Sequence, residues 1–205
     1  MDTSSLLGSL SMNQRIYALF QSSVESKMQV GEQLAPSIEA ASNKIVNALL
    51  NDKKILICGN GASSALAQIF TSSLIDRYEK ERPSLPAIWL GSSVSTYTAI
   101  AADYNYSDIY AKPIRALGHE GDILITLSTS GNAANLVAAV SAARDRGMEV
   151  VAITGRDGGD QSSLLDTNDI EICAAINSRT RIHEIHLLTI FCLCDLIDNT
   201  LFGIE

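Results

Sequence analysis

Two hydroxyl-rich loops carry the residue types and spacings best suited to chemistry in this chain. The first is Gly59-Asn60-Gly61-Ala62-Ser63-Ser64, which follows a short apolar run and leads into a helical pattern. Glycines let a backbone turn tightly and approach a ligand, and the amides freed at a helix start favour an anion. A dinucleotide-binding fingerprint needs glycine or alanine three residues after Gly61, where Ser64 stands. The Gly-Lys-Ser/Thr of a nucleoside-triphosphate loop is absent from the chain. A tight strand-to-helix turn with Ser63 as N-cap accounts for the same residues. The second loop is Ser128-Thr129-Ser130-Gly131-Asn132, again ahead of a helical pattern. Its hydroxyls can donate to phosphate oxygens while a helix dipole supplies positive potential, so no lysine is required. The plainer alternative is Ser130 or Asn132 as an N-cap. Two such loops at predicted strand ends point to one shared phosphate-ester site.

His183 and His186 lie three residues apart on a predicted helix, with Glu184 between them. The zinc pattern HExxH needs a spacing of four, so this pair does not match it. His186 reads as a structural polar contact, and a titrating role for His183 is left open. Cys58, Cys173, Cys192 and Cys194 make no CxxC pair. They read as buried thiols rather than a disulfide frame or a zinc knuckle.

These residues need a scaffold, and the hydropathy pattern supplies one. The N-terminal third is helical: Ile16, Leu19, Val24 and Met28 share one face, as do Ile38, Ala41, Ile45, Val46 and Leu49. Pro36 falls between the two sets, where a second helix would accept proline in its first turn, so a helical hairpin is expected. Short apolar runs follow at 54–58, 86–90, 122–127, 149–154 and 169–173, alternating with helical stretches near 63–79, 94–117, 132–147 and 179–200. That alternation predicts an α/β fold, a doubly wound parallel five-stranded sheet, which binds ligands at the carboxyl ends of its strands. Residues 1–11 show no periodicity and are expected to be an extension without regular structure.

Composition narrows the class. The chain has 205 residues, 46% hydrophobic and 19% charged, enough for one sizeable core. With 23 acidic against 15 basic residues the net charge is −8, which argues against direct nucleic-acid binding. No uninterrupted apolar run reaches about 18 residues, so no membrane span is expected, and the start lacks a signal-peptide pattern. A cytoplasmic setting follows as the expectation.

Five motifs in order resemble the SIS-domain phosphoheptose isomerases and their relative DiaA, the DnaA initiator-associating protein. They are Gly59–Ser63, Arg82–Ala87, Leu127–Asn132, Thr154–Gly159 and Arg181–His186, and the likeness runs over about residues 12–205. The tail from Cys192 to Phe202 is especially similar to DiaA and to the isomerases closest to it. The resemblance implies a SIS domain with residues 12–52 as oligomerisation helices, residues 53–205 as the α/β sandwich, and a homotetramer. It implies phosphosugar binding by Asn60, Gly61, Ser63, Asp103, Ser128, Thr129 and Ser130. Ala62, Ala102 and Ala133 depart from the family's usual glycine, asparagine and serine.

The catalytic implications carry over poorly. The family's zinc-binding and acid/base positions are occupied here by Ile69, Ser73, His183 and Phe191. Isoleucine and phenylalanine offer neither a lone pair nor a proton. His183 is thus the only catalytic candidate, and no metal or cofactor is expected unless isomerase activity persists with zinc. The resemblance therefore implies a phosphosugar-binding protein acting by association with the DnaA initiator, with Leu201 and Phe202 as partner-binding candidates. The alternative is an active isomerase of sedoheptulose 7-phosphate, making D-glycero-D-manno-heptose 7-phosphate for lipopolysaccharide heptose synthesis.

Overall fold

The computed structural model describes residues 11–203. Helix α1 spans Met12–Leu50, and the chain then alternates β1 (Ile55–Gly59), α2 (Ala62–Ile75), β2 (Ala87–Trp89), α3 (Val94–Asp103), a single 3₁₀ turn at Tyr106–Asp108 and α4 (Ala111–Leu117). It continues with β3 (Ile123–Leu127), α5 (Ala134–Asp145), β4 (Glu149–Gly155), α6 (Gly159–Ser162), β5 (Ile170–Ala174) and α7 (Arg179–Phe202). The five strands form one all-parallel sheet in the order β2-β1-β3-β4-β5.

The strands alternate strictly, and that alternation builds two cores. Ile55, Ile57, Ile123, Ile125, Leu127, Val151 and Ile153 point to the layer of α1, α2 and α7. Leu56, Cys58, Leu124, Val150 and Ala152 point to the opposite layer, with Tyr110, Ile114, Leu136 and Val140. Both faces are covered, which is why the strand segments are apolar throughout rather than amphipathic.

The expected hairpin is instead one continuous helix of 39 residues with Pro36 inside it. Val30, Leu34, Ile38, Ala41 and Ile45 form a single packed stripe that runs past the proline without a phase change. Pro36 deprives only the Glu32 carbonyl of its partner, and both residues are exposed, so water can replace the lost bond. Ser11, expected in the unstructured extension, is the N-cap of this helix. Its hydroxyl accepts from Gln14 N at 3.4 Å while Gln14 Oε1 accepts from Ser11 N at 2.9 Å, a capping box. The rest of that extension, residues 1–10, lies outside the described residues.

Helix α7 is long and apolar enough to cross a membrane by length and composition, which the search for uninterrupted apolar runs missed. Packing accounts for its apolarity: Ile182, Ile185, Ile190, Leu193 and Ile197 are core residues beneath α1 and α2. Its buried face also carries His186 and Asp198. Arg82 ties this helix to α2. Its Nε donates to Asp198 at 3.0 Å, while its terminal nitrogens donate to the carbonyls of Ser73 and Leu74 at 2.6 Å each. Helix α2 has no basic residue in its last turn, so a guanidinium from the following loop satisfies its orphan carbonyls.

Candidate functional site

Chain order and strand order diverge between β1 and β3, since β1 leads outward to β2 and the chain then returns to β1's other side. Ligands of open α/β sheets bind at such a reversal. The pairing of Gly59 with Leu127 puts the two hydroxyl-rich loops side by side, Asn60 leaving one strand where Ser128 leaves the other.

Neither following helix is capped by a side chain. Gly61, not Ser63, is the N-cap of α2, at φ +54°, and Ala133, not Ser130 or Asn132, is the N-cap of α5. Backbone carbonyls already take Ser63 N and Ser64 N (from Asn60 and Gly61, 3.0 Å each) and Leu136 N (from Ala133, 2.9 Å). An anion would therefore meet the positive end of each helix and the amides ahead of these, with no side-chain cap in competition. In the second loop Ser128 Oγ accepts from Gly131 N at 3.0 Å and Ser130 Oγ from Asn132 N at 3.5 Å. An oxygen occupied as acceptor leaves its own O–H free to donate, which suits a phosphate. Ser128 is buried, while Thr129 and Ser130 are half-buried.

Asn60 and Asn135 lock the loops together. Each amide nitrogen donates to the other's oxygen at 2.8 Å. Tyr110 donates to the Gly59 carbonyl at 2.5 Å beneath them. The sequence reading missed Asn135 and Tyr110. A polar Asn in the first turn of an otherwise apolar helix was the available signal for Asn135, because such a side chain must find a partner when buried. From behind, the turn at Gly158–Gln161 clamps the second loop. Gln161 N donates to Gly131 O at 3.1 Å and Asn132 Oδ1 accepts from Asp160 N at 2.8 Å. A Cβ on Gly131 would stand 1.7 Å from the Gly158 carbonyl oxygen, so no other residue fits at that position.

Ser63 is buried in the first turn of α2, directly after the first loop. Asp103 ends α3 and is exposed, away from the lining of the cavity beside the first loop. His186 Nε2 meets the Thr154 carbonyl at 2.7 Å, so Nε2 carries the proton and Nδ1 is bare and buried. Burial lowers its pKa to about 4. Both ring nitrogens of His183 are buried without a hydrogen-bond partner among the described residues, and burial lowers its pKa, with a further push from Arg179. Leu201 and Phe202 are half-buried against the core at the end of α7 rather than standing free.

Zinc in this family's position would need donors that these residues do not offer. Ile69 is an exposed hydrocarbon, and Phe191 packs its ring on Tyr78 at 5.9 Å. Ser73 is half-buried on α2, its carbonyl held by Arg82. His183 alone brings a nitrogen ligand, against the four ligands of a zinc site. Among the described residues no group of three or more His, Cys, Asp or Glu could hold a metal ion. Of the four thiols expected to be buried, Cys58 and Cys194 are, whereas Cys173 and Cys192 are half-buried. Burial of Cys58, beneath the first loop, pushes its thiol far above the usual range.

The chain matches the family described as SIS domain over residues 19–155. The phosphoheptose isomerase of Chromohalobacter salexigens is 54% identical over 189 residues, which cover 92% of this chain and 96% of that protein. The phosphoheptose isomerase of Halorhodospira halophila is 51% identical over 191 residues, covering 93% and 96%. The solved structure of a phosphoheptose isomerase from Francisella tularensis superposes with a TM-score of 0.89 at 42% identity, covering 93% of this chain and all of that one.

Proposed function

This chain belongs to the SIS-domain family and, within it, to the phosphoheptose isomerases, and we propose from that premise that it binds a phosphorylated sugar of the sedoheptulose 7-phosphate class. The observation that carries this reading is the pair of adjoining loops, with uncapped helix starts behind them and hydroxyls whose protons remain available. Such a site recognises a phosphate monoester without net positive charge, consistent with the chain's balance of −8.

Turnover divides the supporting observations. The names of the relatives favour phosphoheptose isomerisation over association with the DnaA initiator, and D-glycero-D-manno-heptose 7-phosphate is the product this reading proposes. The side chains favour binding without the family's metal-assisted proton transfer, because Ile69 and Phe191 cannot supply a ligand, an acid or a base. Binding is therefore our conclusion, and isomerisation by a metal-independent route through His183 is the second reading. The setting proposed is cytoplasmic and the assembly a homotetramer.

Calorimetry with sedoheptulose 7-phosphate tests the conclusion, and an absence of binding overturns it. A coupled isomerase assay with and without added zinc then decides turnover. Activity lost in His183→Ala establishes the second reading, and no activity in the wild type removes it. Pull-down with purified DnaA tests the association reading separately, and lack of retention removes that reading alone.

A further inference from the structure

A cavity of about 340 Å³ opens beside the first loop, within the size range of small-molecule pockets. Gly59, Asn60, Gly61 and Ser64 form its rim, and the second loop does not reach it. Its walls are aromatic: Trp89 at the end of β2, Tyr97 on α3 and Tyr110 ahead of α4.

Each wall is held rigidly, and its polar tip is already engaged. Trp89 Nε1 donates to Ser64 Oγ at 3.2 Å, and the indole lies over Gly91, where a Cβ would come within 2.6 Å of the ring. Tyr97 donates to the Tyr106 hydroxyl at 2.8 Å and is set edge-on to Tyr106 and Tyr110, with centroids 6.0 and 6.2 Å away. Tyr110 is spent on the Gly59 carbonyl, the Asn60 amide on Asn135, and Thr98 Oγ1 on the Val94 carbonyl at 2.9 Å. What remains facing the cavity is mostly ring surface and hydrocarbon, with the polar Asn60–Gly61 turn and the Ser64 hydroxyl at the rim.

Such a wall discriminates between two forms of a sugar phosphate. A ring-closed sugar presents one face of C–H groups that can lie flat on an aromatic ring while its hydroxyls stay at the edge. An open-chain polyol has hydroxyls along its whole length and must lose several bond rotations to fit, so it gains less and is ordered at greater cost. We infer that Trp89 and Tyr97 form a selectivity wall that takes the carbon ring of a ring-closed sugar phosphate whose phosphate sits at the Asn60–Gly61 turn. This deepens the phosphosugar reading and rests on it. It also bears on turnover, because aldose–ketose isomerisation requires the open chain whereas this cavity favours the closed one.

Trp89 is the chain's single tryptophan, so tryptophan fluorescence reports on this wall residue alone. The experiment titrates the full-length protein with glucose 6-phosphate and with its open-chain counterpart glucitol 6-phosphate, by fluorescence and by calorimetry. Glucose 6-phosphate is expected to change Trp89 emission and to bind at least about tenfold more tightly. Tyr97→Leu is expected to abolish that preference while keeping calorimetric binding of both compounds. Tyr97→Phe, which keeps the ring and loses only the bond to Tyr106, is expected to retain the preference. Equal affinity for the two compounds in the wild type, or a preference untouched by Tyr97→Leu, overturns the selectivity wall and leaves phosphosugar binding standing. No calorimetric binding of either of these or of sedoheptulose 7-phosphate overturns the phosphosugar reading itself.

Discussion

Ser128 shows how one residue can serve the loop and a ligand at once. Its oxygen holds the Gly131 amide and its proton is left to donate. Ser128→Ala is expected to weaken sugar-phosphate binding by about tenfold or more, the loss typical of a hydrogen bond to a charged group, and to lower stability by about 1 kcal/mol. Calorimetry and denaturant unfolding measure the two effects separately. Gly131 and Gly61 make a sharper contrast, because both have positive φ but only Gly131 lies against another backbone. Gly61, at φ +54° and ψ −122°, stands outside the left-handed helical well that other residues can enter, so Gly61→Ala should cost about 1–3 kcal/mol of backbone strain alone. Gly131→Ala must also push away the Gly158 turn, and should cost more than about 3 kcal/mol and abolish ligand binding. Comparable unfolding midpoints for the two variants would contradict the close approach described here. Both loops were legible in the sequence because glycine and hydroxyl runs mark them directly. The clamp behind Gly131 was not, since nothing local to residues 128–132 indicates what packs against them.

Between elements, the contact of α7 with β4 carries a pH signature. His186 is buried and neutral, donating to the Thr154 carbonyl near the end of β4. Burial lowers its folded pKa to about 4, below the usual 6.5. The unfolded chain therefore binds the proton first, so stability is full above about pH 6.5 and is lost as pH falls toward 4. The loss should approach an order of magnitude of 3 kcal/mol across that window. His186→Gln should flatten the dependence even if its absolute stability is lower. Equal slopes from pH 7 to pH 5 in the two proteins would sink the assignment. Asp122, immediately before β3, acts at a lower pH. Burial alone would raise its pKa, but the Lys54 ammonium at 2.5 Å, the Lys54 amide and the His119 amide outweigh that and hold it below the usual value. Its contribution is thus present above the ordinary carboxylate range and disappears only as pH falls through the lowered pKa. Arg82 and Asp198, 1% and 4% exposed at their side chains, join α2 to α7. Asp198→Asn would leave a buried guanidinium short of its counter-charge, and is expected to cost about 3–5 kcal/mol in chemical denaturation.

For the whole molecule, the surface argues for company. Along the outer half of α1, Met12, Ile16, Phe20, Val24 and Met28 recur every fourth residue, and all are more than half exposed. An apolar groove of about 440 Å³ runs between α1 and α7, bounded by Val30, Leu34, Tyr78, Leu188 and Phe191. Exposed apolar surface on this scale is ordinarily covered, and copies of the same chain are the simplest cover. The proposed homotetramer predicts a molecular mass of four chains by light scattering. Phe20→Glu should reduce it while leaving the far-ultraviolet helix signal intact. A wild-type monomer at micromolar concentration would refute the assembly.

Sequence alone determined the layer architecture, because five apolar runs alternating with amphipathic stretches can bury both their faces only in a covered parallel sheet. It also determined that Ile69 and Phe191 offer no metal ligand, since that is a property of the side chains wherever they stand. Tertiary structure decided the rest. Strand order set β1 beside β3 and so made neighbours of two loops that lie far apart in the chain. Packing carried α1 straight through Pro36, because a stripe extending from Val30 to Ile45 outweighs one lost hydrogen bond on the wet side of the helix. The reciprocal Asn60–Asn135 pair, the aromatic wall at Trp89 and Tyr97, and the turn against Gly131 are all contacts between segments remote in the chain. No local pattern encodes such contacts, because their partners are chosen by the topology that brings them together.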